Sequence, residues 1–250
     1  MNDINQVPPT QNQGPEPQSN SLPDATVLLG AAWERYKHYW KKYILLLLPL
    51  FAASIVLGIL TVSISRSNAG AFSPLMLVFS IGVAIVGIIA EAAIIYSVVT
   101  EGREVSITEA YRKGASLFWS FLLVQIITGL IVGLGFIALV IPGIYLAVRY
   151  SFSAFVLVDE GKKGMEALSR SRDLVKGRWF EVFIRFVFVI VLSLIPFAIF
   201  FVIDSSSTFG QILQNLLSLI LAPLWILYVY NVYKALKGSV SKQTAEQRIT

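Results

Sequence analysis

Two ionisable side chains stand inside long apolar runs of this chain and are the first candidates for chemistry: Glu91, nine residues before Thr100, and Arg149, ten before Asp159. If each run is a helix, a rise of about 1.5 Å per residue puts both about 14 to 15 Å from the end of the run. An ion at such a depth in a bilayer costs roughly 2.5 to 3.5 kcal/mol on insertion scales, and it is usually paired or faces water. A Glu91–Arg149 pair is therefore predicted. It would either mark a proton or anion path or lock two helices together, and the structural role asks less of the residues.

A second candidate is the basic stretch that follows Asp159-Glu160-Gly161, with Lys162, Lys163, Arg170, Arg172, Lys176 and Arg178. Such a face fits anionic lipid or a partner protein, at about 1 kcal/mol per basic residue near a charged membrane surface. Arg185, four residues past Glu181, is expected to snorkel with an intrahelical partner. Other chemistries lack their residues. There is one histidine, His38, and no cysteine, which excludes disulfides, thiolate metal sites and cysteine nucleophiles. With no histidine or multi-carboxylate constellation, no catalytic residue, metal site or cofactor is expected, and the chain reads as a non-enzyme.

The elements that position these residues follow from composition. The 250 residues are 56% hydrophobic and 14% charged, with a mean hydropathy of +0.70. Ordinary globular domains are roughly 45–50% apolar and about 25% charged, so the expected class is an all-α integral membrane protein. The net charge of +5 resolves into loop charges beside apolar runs, which argues against a nucleic-acid partner.

Residues 1–23, rich in Pro, Asn, Gln and Ser, read as a disordered tail without the basic and apolar regions of a signal peptide. A membrane domain is expected over 24–237, with spans at about 43–65, 75–100, 117–137, 139–158, 180–203 and 212–233, and a polar tail over 238–250. Each hairpin of spans is preceded by an amphipathic interfacial helix. The first begins at Asp24. The second is capped by Ser106 with Glu109 three residues on. The third, Gly164 to Lys176, turns Ala167, Leu168, Ser171, Leu174 and Val175 one way. The uncharged run Leu117–Val158 is too long for one span. Its turn is expected between Gly133 and Gly143, although Pro142 could instead kink the fourth span. Gly82, Gly87, Gly129, Gly133 and Gly135 read as close helix contacts rather than a phosphate loop.

Orientation follows from Lys and Arg. Seventeen fall in the segments before span one, between spans two and three, between spans four and five, and after span six; the alternate links hold only Arg66. The positive-inside rule then puts both termini in the cytoplasm and the chain in the cell membrane. A repeat underlies the pattern: Glu101, Glu109 and Trp119 recur as Glu160, Glu166 and Trp179, and the helix ending in Trp40 is a weaker third copy.

The segments IPGIYLAVRYSF, VDEG and MEALSRSRDLVKGRWFEVF together resemble the membrane domain associated with glycerophosphoryl diester phosphodiesterases, and the six-span bacterial proteins that carry this domain alone. The likeness is specific over about residues 138–190. It implies a six-helix integral protein of the cytoplasmic membrane. The phosphodiesterase chemistry of such fusions belongs to a separate barrel with histidine and acidic ligands, for which this chain has no room, so no catalytic residue carries over.

Three classes of function are left. The reading that asks least is a non-catalytic module that organises lipid or another membrane protein at the cytoplasmic face. The alternative is a transporter or channel for a small solute, resting on Glu91 and Arg149. A membrane-embedded enzyme would need residues that the chain lacks.

Overall fold

The computed structural model describes residues 22–66, 74–100, 103–202 and 208–246. Residues 1–21 of the expected 1–23 tail, the links 67–73 and 203–207, residues 101–102 with Glu101 of the expected repeat, and the last four residues lie outside them. Among the described residues every element is a helix: α1 (Ala25–Arg66), α2 (Pro74–Val99), α3 (Ile107–Ala138), α4 (Val140–Tyr150), α5 (Ser153–Glu160), α6 (Gly164–Val175), α7 (Trp179–Val202) and α8 (Thr208–Glu246).

Five stretches among the described residues are long and apolar enough to cross a membrane: Ala25–Thr61, Met76–Val99, Ile107–Ala138, Val140–Glu160 and Leu216–Ser241. This is the make-up of a membrane protein. The outer surface agrees, since Trp119, Ile137, Ile141 and Phe209 are each more than three-quarters exposed. Water would penalise such a surface, whereas lipid would not. The most deeply buried large side chains adjoin the charged ends of the apolar runs: Tyr43 and Leu46 of α1, Ile94 and Ile95 of α2, Phe121 of α3, Leu157 of α5, Leu168 of α6, and Tyr228 and Tyr233 of α8.

Helix boundaries differ from the expected ones in instructive ways. The first amphipathic segment and span one form a single 42-residue helix, bent at Tyr39, whose φ of −116° and ψ of 15° leave the helical region. The second amphipathic segment likewise runs unbroken into span three within α3. Ser106 caps it by accepting the Glu109 N–H at 3.1 Å. Only half of the capping box forms, because the Glu109 carboxylate turns to Arg103 at 3.0 Å and to the Tyr96 hydroxyl at 3.3 Å. In the third unit α6 is separate, set off by Gly177 in the left-handed region at φ +81°. The polar end of the chain continues α8 as far as Glu246, held by the buried Leu236 and by Lys237, which pairs with Asp159. Leu22 and Pro23, assigned by composition to the tail, belong to the fold, and Leu22 is 4% exposed.

The turn expected between the third and fourth apolar runs lies at Leu139, which is extended (φ −167°, ψ 156°). Pro142 sits in the first turn of α4, where a missing N–H is harmless. The glycines serve packing instead. A Cβ on Gly143 would lie 2.5 Å from the Phe136 ring, and one on Gly135 would lie 3.0 Å from the Gly143 Cα. Gly114 lets α3 lie against α2, because a Cβ there would meet the Ile89 carbonyl at 2.6 Å. Gly82, Gly129 and Gly133, expected at close contacts, meet nothing within 4 Å, and Gly87 makes ordinary contact with Leu50. Composition names the residue type but not the face it lies on.

Candidate functional site

The predicted fourth span is broken. α4 ends at Tyr150 and α5 begins at Ser153, which leaves backbone groups of the break without helical partners. In an apolar surrounding each such group would cost several kcal/mol. Hydroxyls take them up. Ser171 Oγ accepts the Phe152 N–H at 3.2 Å and donates to the Arg149 carbonyl at 2.9 Å. Ser151 Oγ donates to the Val148 carbonyl at 2.9 Å, and Ser153 Oγ to that of Tyr150 at 2.8 Å. Thr128 Oγ1 lies 3.3 Å from Ser153 Oγ.

A cavity of about 220 Å³ opens at this break, lined by Glu91, Gln125, Thr128, Ser151 and Ser153, with Trp225 among its apolar walls. The half-buried Glu91 receives the Gln125 amide, whose Nε2 lies 3.4 and 3.3 Å from its two carboxylate oxygens. Gln125 is polar at the place where the repeat puts Arg185 in the last unit, and that was its one signal in the sequence.

Arg149 is not brought to Glu91. Its Nη1 donates to the Tyr145 hydroxyl at 3.1 Å, and its guanidinium lies 5.1 Å over the same ring. Tyr145 also accepts the Trp179 indole N–H through its carbonyl at 3.1 Å. The break explains the separation. The part of the fourth span that packs on α2 is α5, whereas Arg149 belongs to α4, which packs on α3, α6 and α7. Equal depth did not place the two charges on facing surfaces.

Of the basic stretch, α6 buries Ala167, Leu168, Ser171, Leu174 and Val175, and leaves Arg172 and Lys176 exposed, with Lys163 exposed just before it. Its cations have unequal roles. Arg170 Nε reaches both Glu160 oxygens at 3.3 and 3.1 Å. Lys162 lies 3.8 Å from Glu160, and Arg172 is 3.4 Å from Asp173. Arg178 is half-buried, and its Nη1 has no hydrogen bond. The acid pair of the Asp-Glu-Gly exit is thus a hub: Asp159 takes Lys237 and the Tyr233 hydroxyl, the latter at 2.7 Å, and Glu160 takes Arg170, Lys162 and Lys237.

Arg185 does not snorkel. It is 8% exposed and donates to the carbonyls of Leu22, Pro23 and Glu181, while the Glu181 carboxylate accepts the Leu22 N–H at 3.0 Å. The expected intrahelical bond forms at the Glu181 carbonyl, but the partners at Leu22 and Pro23, 163 and 162 residues earlier, were invisible in the sequence, since a carbonyl belongs to no residue type. Among the described residues no group of three His, Asp or Glu side chains could hold a metal ion.

No curated protein and no solved structure matches the chain. The resemblance to the phosphodiesterase-associated membrane domain is overturned: the family model that matches is a different one, and it covers the motifs on which that resemblance rested. Those motifs, an apolar run, an acidic exit and a basic helix, are common to many polytopic chains. The match extends over residues 75–235, well over half of the chain, which therefore belongs to the family described as "Uncharacterised protein family (UPF0259)".

Proposed function

We propose that the chain is a non-catalytic, six-span protein of the cell membrane with both termini in the cytoplasm, and that its basic end gathers anionic lipid headgroups. The sixth span would be α7, a 24-residue helix whose sequence is apolar apart from Glu181 and Arg185 near its start. The seventeen-to-one distribution of Lys and Arg supports the orientation. The observation that carries the lipid reading is α6: five residues of one face are buried in the bundle while Lys163, Arg172 and Lys176 stay exposed, as expected of a helix lying at a membrane surface. The same face would also fit another membrane protein. Neither a cofactor nor a nucleic acid has a place in this reading.

The test is native mass spectrometry of the protein taken from mixed phosphatidylglycerol and phosphatidylcholine discs. Neutralising Lys162, Lys163, Arg172 and Lys176 together removes about 1 kcal/mol per cation, so retained phosphatidylglycerol should fall at least tenfold. Equal retention would remove the reading. Arg170 is left intact because its Nε reaches both Glu160 oxygens at 3.3 and 3.1 Å, whereas Lys162 stands off at 3.8 Å.

The cavity at Glu91 favours a second reading, a path for protons or a small solute at the broken span, since an intramembrane carboxylate beside a helix break lined by hydroxyls suits such a path. Arg149 has no part in it. Proton flux into reconstituted vesicles that Glu91→Gln abolishes would support this reading; absence of flux in the unaltered protein would end it.

A further inference from the structure

A second cavity, of about 470 Å³, lies elsewhere, between the bend in α1 and the last turn of α2. Arg35 and Lys42 enter it from α1, two turns apart and on either side of the bend at Tyr39; Ser97 enters from α2; Arg103 and Glu104 come from the segment before α3. Among the described residues three cations and one carboxylate, that of Glu104, line this cavity.

Two of the cations have partners. Arg35 donates to the Val98 carbonyl and lies 5.5 Å over the Tyr230 ring. Arg103 pairs through Nη2 with Glu109 at 3.0 Å, while most of its side chain stays exposed. Lys42 makes no hydrogen bond or ion pair within 4 Å among the described residues. Like charges gathered in a partly enclosed space repel one another, and an anion placed among them removes the repulsion.

Ser97 is a second, independent sign. It is 5% exposed, yet its Oγ has no hydrogen-bond partner. Other helical hydroxyls here bond back to their own helix: Ser54 to Leu50, Ser80 to Leu77, and Thr100, one turn on from Ser97, to Tyr96 at 2.6 Å. A buried hydroxyl left unpaired is costly and asks for a partner.

We infer that this cavity is a binding site for a tetrahedral oxyanion of the phosphate class, with Lys42 and Arg103 as its charge partners, Ser97 as a hydroxyl donor and Arg35 as a fixed positive wall. Guanidinium groups present paired N–H donors to phosphate oxygens, and lysine supplies a point charge. The cavity lies where the first predicted span begins, at Tyr43, and where α2 ends, at Val99. Given the membrane orientation proposed above, that is headgroup depth, so the phosphate could be that of a lipid or a free ion. The inference takes only this depth from that reading and does not depend on α6.

The experiment uses the full chain in detergent and in discs, with thermal unfolding as the readout. Inorganic phosphate in detergent, and phosphatidic acid against phosphatidylcholine in discs, are the two probes. Stabilisation by phosphatidic acid alone assigns a lipid headgroup; stabilisation by free phosphate assigns a soluble ion. In either case Lys42→Gln and Arg103→Gln should each weaken the apparent affinity about tenfold, with sodium chloride matched throughout, and the α6 variants should leave it unchanged. Ser97→Ala, which removes one hydroxyl at a helical position and should fold, is expected to weaken it several-fold and decides the matter if the charge variants unfold. No stabilisation of the unaltered protein by either probe, or equal stabilisation of Ser97→Ala and the charge variants, would overturn the inference.

Discussion

Arg185 Nη2 lies 2.6 Å from the carbonyl oxygen of Leu22, a residue 163 positions earlier in the chain. The guanidinium also binds the Pro23 and Glu181 carbonyls, and the Tyr228 hydroxyl donates to the Arg185 carbonyl at 3.0 Å. One side chain therefore joins α7 to the segment that launches α1. Arg185→Gln should leave buried carbonyls unpaired and cost about 2 kcal/mol or more. Thermal unfolding in detergent would show the loss, and faster deuterium uptake over residues 22–30 would locate it.

Ser171 should matter as much to the broken span. Ser171→Ala removes the acceptor for the Phe152 N–H and the donor to the Arg149 carbonyl together. A cost of about 1–3 kcal/mol is expected. Deuterium uptake at the Phe152 amide should rise while that of α3 stays unchanged.

The glycines separate by position. Gly114→Ala must push a methyl group into the Ile89 carbonyl, and overpacking of this kind costs about 1–3 kcal/mol. Gly129→Ala meets nothing within 4 Å and should be neutral or slightly stabilising, because alanine favours the helix. Melting temperatures of the two variants, measured side by side, check the packing of α2 on α3.

Glu91 and Arg149 should behave as independent residues. A double-mutant cycle with Glu91→Gln and Arg149→Ala is expected to be additive within about 0.5 kcal/mol. A buried ion pair would show a far larger coupling. Glu91→Leu, by contrast, strands the Gln125 amide and should cost about 1–3 kcal/mol.

What the sequence made legible followed from patterns that repeat along a helix. The inward face of α6 could be read from spacing alone, as could the Ser106 cap, because both depend on neighbours three or four residues away. The break at Ser151 and Phe152 could not, since the run around it is apolar on both sides and periodicity has nothing to register. The partners of Glu91 and Arg149, and those Arg185 finds beyond its own helix, were missed for a related reason: depth along a helix can be counted, but the azimuth that decides which charge meets which group is set by packing between helices. The cavity between α1 and α2 was hidden because Arg35 and Lys42 looked like ordinary surface cations until the bend at Tyr39 and the end of α2 brought Ser97 and Arg103 beside them.

The central claim is that this is a membrane bundle whose basic end faces the cytoplasm, and the absence of cysteine makes it directly testable. Single cysteines at Lys163 and Lys176, and at Asn68 and Ser206 in the opposite links, would be labelled with a membrane-impermeant maleimide in intact spheroplasts and in inverted vesicles. The account predicts that Asn68→Cys and Ser206→Cys label only from outside, and that Lys163→Cys and Lys176→Cys label only from the cytoplasmic side. Labelling of Lys163→Cys or Lys176→Cys in intact spheroplasts would contradict it.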